Sequence, residues 1–327
     1  MKSIRRNTLL VVACISAALT PSLALPGWPQ QGTIVQGNAY QFDQKTWERN
    51  LAQPNATGNF SITGFDISKV FPSAQVDGWE LSVNVTSSIP DSQVLNPTNT
   101  SGKVFTGTSL YLKAPDSVVA GITSADSTDA IDETTWKICV TVMTAGPVED
   151  TSTADNGTCS SLSSQCITDF QNAYADEFAE EQDCYKLPAT PSSCGDSLDQ
   201  ANMTTQRMSL SRSYTSLSSL TILRRTEFPL AYLNGTEIFV TASDVHGSGD
   251  NTAFDSAVKQ VWPVLTVWGW NNRANVSDDT KPTVQLTCAR ANNVQSGSGD
   301  SQSTASVAQS SPVVALMIAG LMATLLL

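Results

Sequence analysis

From Trp79 to Thr86 apolar and polar residues alternate, with Trp79, Leu81, Val83 and Val85 on one side and Glu80, Ser82, Asn84 and Thr86 on the other. A period of two marks a strand with one buried face. Residues 135–143 repeat the pattern, turning Trp136, Ile138, Val140 and Val142 inward. Further strand-like runs lie at 60–67, 104–113, 208–223, 236–242, 261–270 and 283–290, and turn-rich stretches such as 90–102 and 123–132 separate them. Short strands between Gly/Pro/Ser/Asn/Asp loops predict a mainly β fold. A β-sandwich of Ig-like or jelly-roll type is the expected architecture.

One segment breaks the period. Between 160 and 183 the residues Leu162, Cys166, Phe170, Ala173, Tyr174 and Phe178 recur every three or four positions, while Glu177, Glu180 and Glu181 fall off that stripe. This predicts an amphipathic helix, ended by Pro188 and Pro191 and followed by a polar connection over 196–205. The chain therefore divides into a β region (25–158), a Cys-rich helical insertion (159–200) and a second β region (201–295) that completes the same domain. The insertion equally suits a seam between two domains.

Both ends carry processing patterns. Lys2, Arg5 and Arg6 precede an apolar run from Leu9 to Leu19, and Ser22-Leu23-Ala24 offers a small-x-small cleavage site, so 1–24 reads as a secretory signal peptide. At the other end a Ser/Gly-rich spacer (296–312) leads into an uncharged apolar tail (313–327) with no basic residue after it. Fifteen residues at 1.5 Å rise reach only about 22 Å across a hydrocarbon core of about 30 Å. A small-residue acceptor, a polar spacer and a removable apolar tail together form a glycosylphosphatidylinositol (GPI) attachment signal. Ser296, Gly297, Ser298 and Asp300 are the candidate acceptors.

Without the signal the chain holds fifteen basic against thirty acidic residues, a net −15. That balance argues against nucleic-acid binding and a polybasic hold on anionic lipid. N-glycosylation sequons occur at Asn55, Asn59, Asn84, Asn99, Asn156, Asn202, Asn234 and Asn275, and glycans require exposed attachment points. Cys14 leaves with the signal, so Cys139, Cys159, Cys166, Cys184, Cys194 and Cys288 remain. An even number in a secreted chain predicts three disulfides. If the four clustered cysteines pair among themselves, Cys139 bonds Cys288. Yet Cys139 lies on the face opposite Ile138 and Val140, whereas Cys288 shares a face with Val284 and Leu286. Either the strand at 135–143 is covered on both sides, or Cys139 holds the insertion over its outer face.

The segments Trp136-Lys137-Ile138-Cys139, Gly157-Thr158-Cys159-Ser160-Ser161 with Cys166 beyond, Val261-Trp262-Pro263-Val264-Leu265 and Leu286-Thr287-Cys288 resemble secreted, GPI-anchored surface glycoproteins of filamentous ascomycete fungi. The resemblance covers the second half of the mature chain. It implies a habitat at the cell surface and no catalytic residue.

Candidate chemistry is sparse. Any Ser-His-Asp or Cys-His mechanism must run through His246, the single histidine, and no Gly-x-Ser-x-Gly elbow occurs. The loop around it sets Asp244, His246, Ser248 and Asp250 at alternate positions with Gly249 in the sixth place and Asp255 in the twelfth, a partial Ca²⁺ loop. Glycan-cleaving enzymes need two carboxylates and no histidine, for which Glu80, Asp132 and Glu133, each near a Trp, are conceivable members. Trp262, Trp268 and Trp270 point to one side of a predicted strand, where they either stack on sugars or fill the core. Arg224-Arg225 is a dibasic pair open to processing. The expected protein is a non-enzymatic, GPI-anchored cell-surface or cell-wall glycoprotein without cofactor, in its narrower form a binder of wall or host glycans. A wall-remodelling glycosidase or transglycosidase using two carboxylates is the alternative.

Overall fold

The computed structural model describes residues 33–97, 101–123, 135–144, 157–182, 184, 186, 188–198, 204–210, 227–228, 235–296 and 298. The predicted signal, the apolar tail, the Arg224-Arg225 pair and most of the run at 208–223 lie outside them. No helix of the described residues is long and apolar enough to cross a membrane.

The alternating runs become strands, and the strands form two sheets. The larger sheet is built from β1 (Ile34–Gly37), β2 (Ala56–Ser61), β3 (Glu80–Pro90), β4 (Lys103–Lys113), β8 (Thr236–Ala242) and β12 (Asn293–Val294), in the spatial order β1-β8-β4-β3-β2-β12, with β9 (His246–Gly247) added to β4. The smaller is β11-β10-β5-β6-β7, comprising β5 (Trp136–Thr144), β6 (Thr204–Leu210), β7 (Glu227–Phe228), β10 (Trp262–Trp270) and β11 (Thr283–Ala289). Neither sheet closes on itself. Most neighbours are antiparallel, while β1 runs parallel to β8 and β7 parallel to β6.

Alternation decides which side of each strand is buried. Leu81, Val83 and Leu110 of the larger sheet share one hydrophobic cluster with Ile138, Val140, Val264 and Trp268 of the smaller, so both sheets feed a single core. The opposite face of the larger sheet carries a second cluster of Phe42, Trp47, Leu51, Ile89, Phe105 and Val240. It is covered by α1 (Gln44–Leu51), whose N-terminus is capped by Asp43 accepting from the Thr46 amide at 3.1 Å. Two more short helices, α2 (Asp116–Thr123) and α4 (Thr252–Lys259), complete the periphery.

The predicted helix forms as α3 (Ser164–Glu181), shorter at both ends than the predicted segment 160–183. Ser163 caps it by accepting from the Cys166 amide, and Gln182 ends it in a left-handed conformation. Lys137 donates to the Gln182 carbonyl at 2.7 Å, a cation placed where the helix dipole is negative. The helix lies against the smaller sheet, with Phe178 edge-on to Trp270 at 5.5 Å. Gly269 allows that approach, because a Cβ there would run into the Phe178 ring.

The disulfides are Cys139–Cys184, Cys159–Cys288 and Cys166–Cys194. Only the last is local to the insertion, so a Cys139–Cys288 bond with all four clustered cysteines paired together is not what forms. Strand register explains why. Cys139 sits opposite Val267, Val267 opposite Val284, and Cys288 opposite Pro263, which puts both cysteines on one face of the smaller sheet. They are two strands and four residues apart, about 17 Å, far beyond the span of one disulfide. The chain on either side of α3 bridges the gap instead. Cys159 before the helix takes Cys288, and Cys184 after it takes Cys139. Val284 and Leu286 therefore face the helix rather than the other sheet, and β5 is covered on both sides. Cys139 holds the insertion over the outer face of its strand.

Candidate functional site

The tryptophan row does not form a platform. Trp262, Trp268 and Trp270 are 6%, 1% and 2% exposed. Trp268 meets Trp79 edge-on at 4.6 Å and Phe65 at 5.9 Å, Trp270 meets Phe71 at 5.2 Å, and Trp262 meets Phe239 at 5.1 Å. Their Nε1 atoms have no hydrogen-bond acceptor among the described residues. Trp79 and Trp136, by contrast, donate to the Phe65 and Lys69 carbonyls at 3.2 and 2.9 Å. Rings rather than oxygens surround the three indoles, and no sugar face reaches them. The row is core.

The Ca²⁺ pattern is dissolved by the local fold. His246 and Gly247 pair with β4, and Asp255 is taken into α4. Asp244 accepts from Asn38 Nδ2 at 2.9 Å, while Asp250 accepts from the Thr252 amide at 3.0 Å, which with the Thr252 side chain lowers its pKa. The Asp244 and Asp250 carboxylates thus serve separate partners, Asn38 and Thr252, while the Ser248 amide donates to the Gly102 carbonyl. Among the described residues no group of three His, Cys, Asp or Glu side chains is placed to hold a metal. His246 Nε2 lies 3.3 Å from Thr106 Oγ1 and Nδ1 3.2 Å from the Gly247 carbonyl, so in β9 rather than in a loop the ring meets a hydroxyl and a backbone carbonyl.

The carboxylate that stands out is one that the sequence does not single out. Glu237, half-buried on the helix-covered face of the larger sheet, receives hydrogen bonds at Oε1 from Tyr111 Oη (3.1 Å) and Trp47 Nε1 (3.2 Å). The same indole donates to Ser109 Oγ at 3.0 Å. Burial dominates and pushes the Glu237 pKa up to about 7, helped by Glu48 and opposed by the hydrogen bonds from Ser109, Tyr111 and Trp47. Tyr111 is raised in turn, first by burial and then by Glu237. Four segments contribute to this cluster: α1 brings Trp47 and Glu48, β4 brings Ser109 and Tyr111, β8 brings Glu237, and Thr33 donates to the Glu237 carbonyl. In sequence, the sign is a Glu directly before the apolar run Ile238-Phe239-Val240.

A group whose pKa rises on folding favours the fold most below its unfolded value, and that support is lost as pH climbs through the folded value. Between the ordinary 4.5 and about 7 the loss amounts to about 3 kcal/mol. Glu237→Gln should therefore flatten the fall in urea-unfolding stability between pH 4.5 and 7.5. An unchanged pH slope in the variant would show that Glu237 does not titrate in this range.

Glu80 lies on the same face, opposite Ser61 and Lys113, while Glu237 pairs with Tyr111 one step along β4. Asp132 and Glu133 lie outside the described residues. Two sequons share the Glu80 face: Asn59 is exposed opposite Ser82, and Asn84 is half-buried opposite Thr57 and Ser109. Asn275 is exposed between β10 and β11. Asn55 is half-buried, its Oδ1 accepting from the Ser87 amide and hydroxyl at 2.8 and 3.1 Å while Nδ2 donates to Ser298 Oγ at 3.3 Å. Asn99, Asn156, Asn202 and Asn234 lie outside the described residues. Of the candidate lipid acceptors, Ser296 and Ser298 are described, and Gly297 and Asp300 are not.

No family model, curated protein or solved structure matches this chain.

Proposed function

We propose that the protein is a GPI-anchored glycoprotein of the outer cell surface or cell wall, with an ectodomain that binds or supports rather than catalyses. The observation that carries this reading is the complete pairing of the six cysteines left after signal removal, in three buried disulfides, as suits an oxidising compartment. The sequons, the terminal processing patterns and the resemblance to fungal surface glycoproteins all point to the same place. In this reading the two sheets form a sandwich with open edges and α3 stapled outside it. The glycan-binding version loses its tryptophan platform and has to use surface residues.

A carboxylate enzyme keeps one supporting observation, the placing of Glu80 and Glu237 on one sheet face, where burial raises the Glu237 pKa as a general acid requires. Glycans on Asn59 and Asn84 would stand on that face and obstruct a polymeric substrate, so binding is preferred. Purified ectodomain is expected to release no product from β-glucan, chitin or mannan oligosaccharides above a boiled control. Turnover abolished by Glu80→Gln would replace this reading with the enzyme.

The anchor has its own test. Phosphatidylinositol-specific phospholipase, after removal of any inositol acylation, should release the protein from intact cells. Retention in the detergent phase after complete lipase digestion would refute the lipid.

A further inference from the structure

The described chain ends on the edge of the larger sheet. β12 pairs with the start of β2, Gln295 donates its amide to the Asn55 carbonyl at 2.8 Å, and Asn55 Nδ2 reaches Ser298. The fold thus holds the chain up to the candidate lipid acceptors, leaving little slack between domain and anchor. That attachment lies at one end of the sheet. The same end is formed by residues 91–97 after β3, by the 3-10 turn Asn38–Gln41 and by residues 243–249 after β8.

Among the described residues four large apolar side chains are prominently exposed: Tyr40 (58%), Val70 (56%), Leu95 (43%) and Val245 (40%). Three belong to the attachment end. Leu95 donates its amide to the Gln41 carbonyl at 2.7 Å, placing it beside the turn that carries Tyr40. Asn38 on that turn holds both the Ser243 carbonyl and the Asp244 carboxylate at 2.9 Å, next to Val245. Val70 belongs to the other end, where Trp136 donates to the Lys69 carbonyl and Phe71 packs on Trp270.

We infer that this end of the larger sheet faces the bilayer, with Tyr40, Leu95 and Val245 resting at the lipid surface once the chain is tethered through Ser296–Asp300. The inference rests on the anchor reading and adds to it a fixed orientation. A tether converts weak apolar contacts into an intramolecular equilibrium, and Tyr beside aliphatic residues suits a membrane interface, with a wet hydroxyl and an apolar body. The shortage of basic side chains in the protein fits a neutral outer leaflet rather than an anionic one. Val70 at the far end would then stand free in solvent.

The test uses the anchored protein on phosphatidylcholine vesicles that carry an acceptor dye on the lipid. Donor dye is placed at Leu95→Cys in one preparation and Val70→Cys in another; all six other cysteines of the mature chain are in disulfides. An eleven-residue strand spans about 37 Å, so energy transfer from position 95 should exceed that from position 70 roughly two-fold or more. Adding Tyr40→Ser and Val245→Ser, both at exposed positions, should shrink the difference. Equal or reversed transfer, with both signals lost on lipase treatment, overturns the orientation and leaves the anchor standing. Transfer that survives the lipase removes the anchor reading and this inference with it. A glycan found on Asn99, four residues from Leu95 in the chain, would hold this end off the lipid and also overturn the contact.

Discussion

Replacing Trp268 by alanine should destabilise the ectodomain by about 3–5 kcal/mol, the usual cost of removing a buried aromatic side chain. The indole is 1% exposed and packs against Trp79 and Phe65, so its removal opens a cavity between the two sheets and breaks two ring contacts, each worth about 0.5–1.5 kcal/mol beyond area alone. Urea unfolding followed by circular dichroism reads the change directly. Because the residue ties β10 to the segment that leads into β3, the loss should appear in one cooperative transition. A cost below about 1 kcal/mol would be out of keeping with a core position and would return Trp268 to the surface.

Serine in place of both Cys159 and Cys288 should have a comparable effect. These residues are 129 positions apart in sequence, against 28 for Cys166 and Cys194. In the chain-entropy account the long loop contributes about 5 kcal/mol and the short one about 3.6 kcal/mol. The double Cys159→Ser/Cys288→Ser variant should therefore unfold at lower urea than Cys166→Ser/Cys194→Ser, and far below the parent. The reverse order would mean that the short bridge holds α3 in place more firmly than the long bridge joins β11 to the insertion.

The legible parts of this fold are those set by local period. Leu81, Val83 and Val85 bury the expected face of β3, the run 236–242 is a strand over its full length, and α3 follows its apolar stripe. What stays hidden depends on partners distant in sequence. Val284, Leu286 and Cys288 alternate as a one-sided strand should, but the covering layer is a helix from more than a hundred residues earlier, so pairing the four clustered cysteines among themselves fails, whereas the face of Cys139 correctly points to the insertion. Of the run at 60–67 only Phe60 and Ser61 lie in a strand, because β2 covers Ala56–Ser61, where it pairs with β3 and β12. Eight-residue helices such as α1 and α4 are too short for their stripes to stand out.

The same reasoning applies to the site. Three indoles at alternate positions suit a core and a sugar platform equally, and only the opposing sheet decides between them. Glu237 acquires its raised pKa from Trp47, Ser109 and Tyr111, none of which lies near it in the chain. Tyr40, Leu95 and Val245 are unremarkable singly; they gain meaning from sharing an end with Asn55 and Ser298. The sequon at Asn55, by contrast, reads plainly in sequence, while the engagement of its amide with Ser87 and Ser298 does not.

The central claim is that the chain is carried at the cell surface by a lipid near the end of β12. Mass spectrometry of the mature C-terminal peptide tests it most directly. The account predicts a peptide ending at one of Ser296, Gly297, Ser298 or Asp300 and bearing ethanolamine phosphate with its glycan core. A mature protein whose C-terminal peptide runs through to Leu327 without that adduct would contradict it.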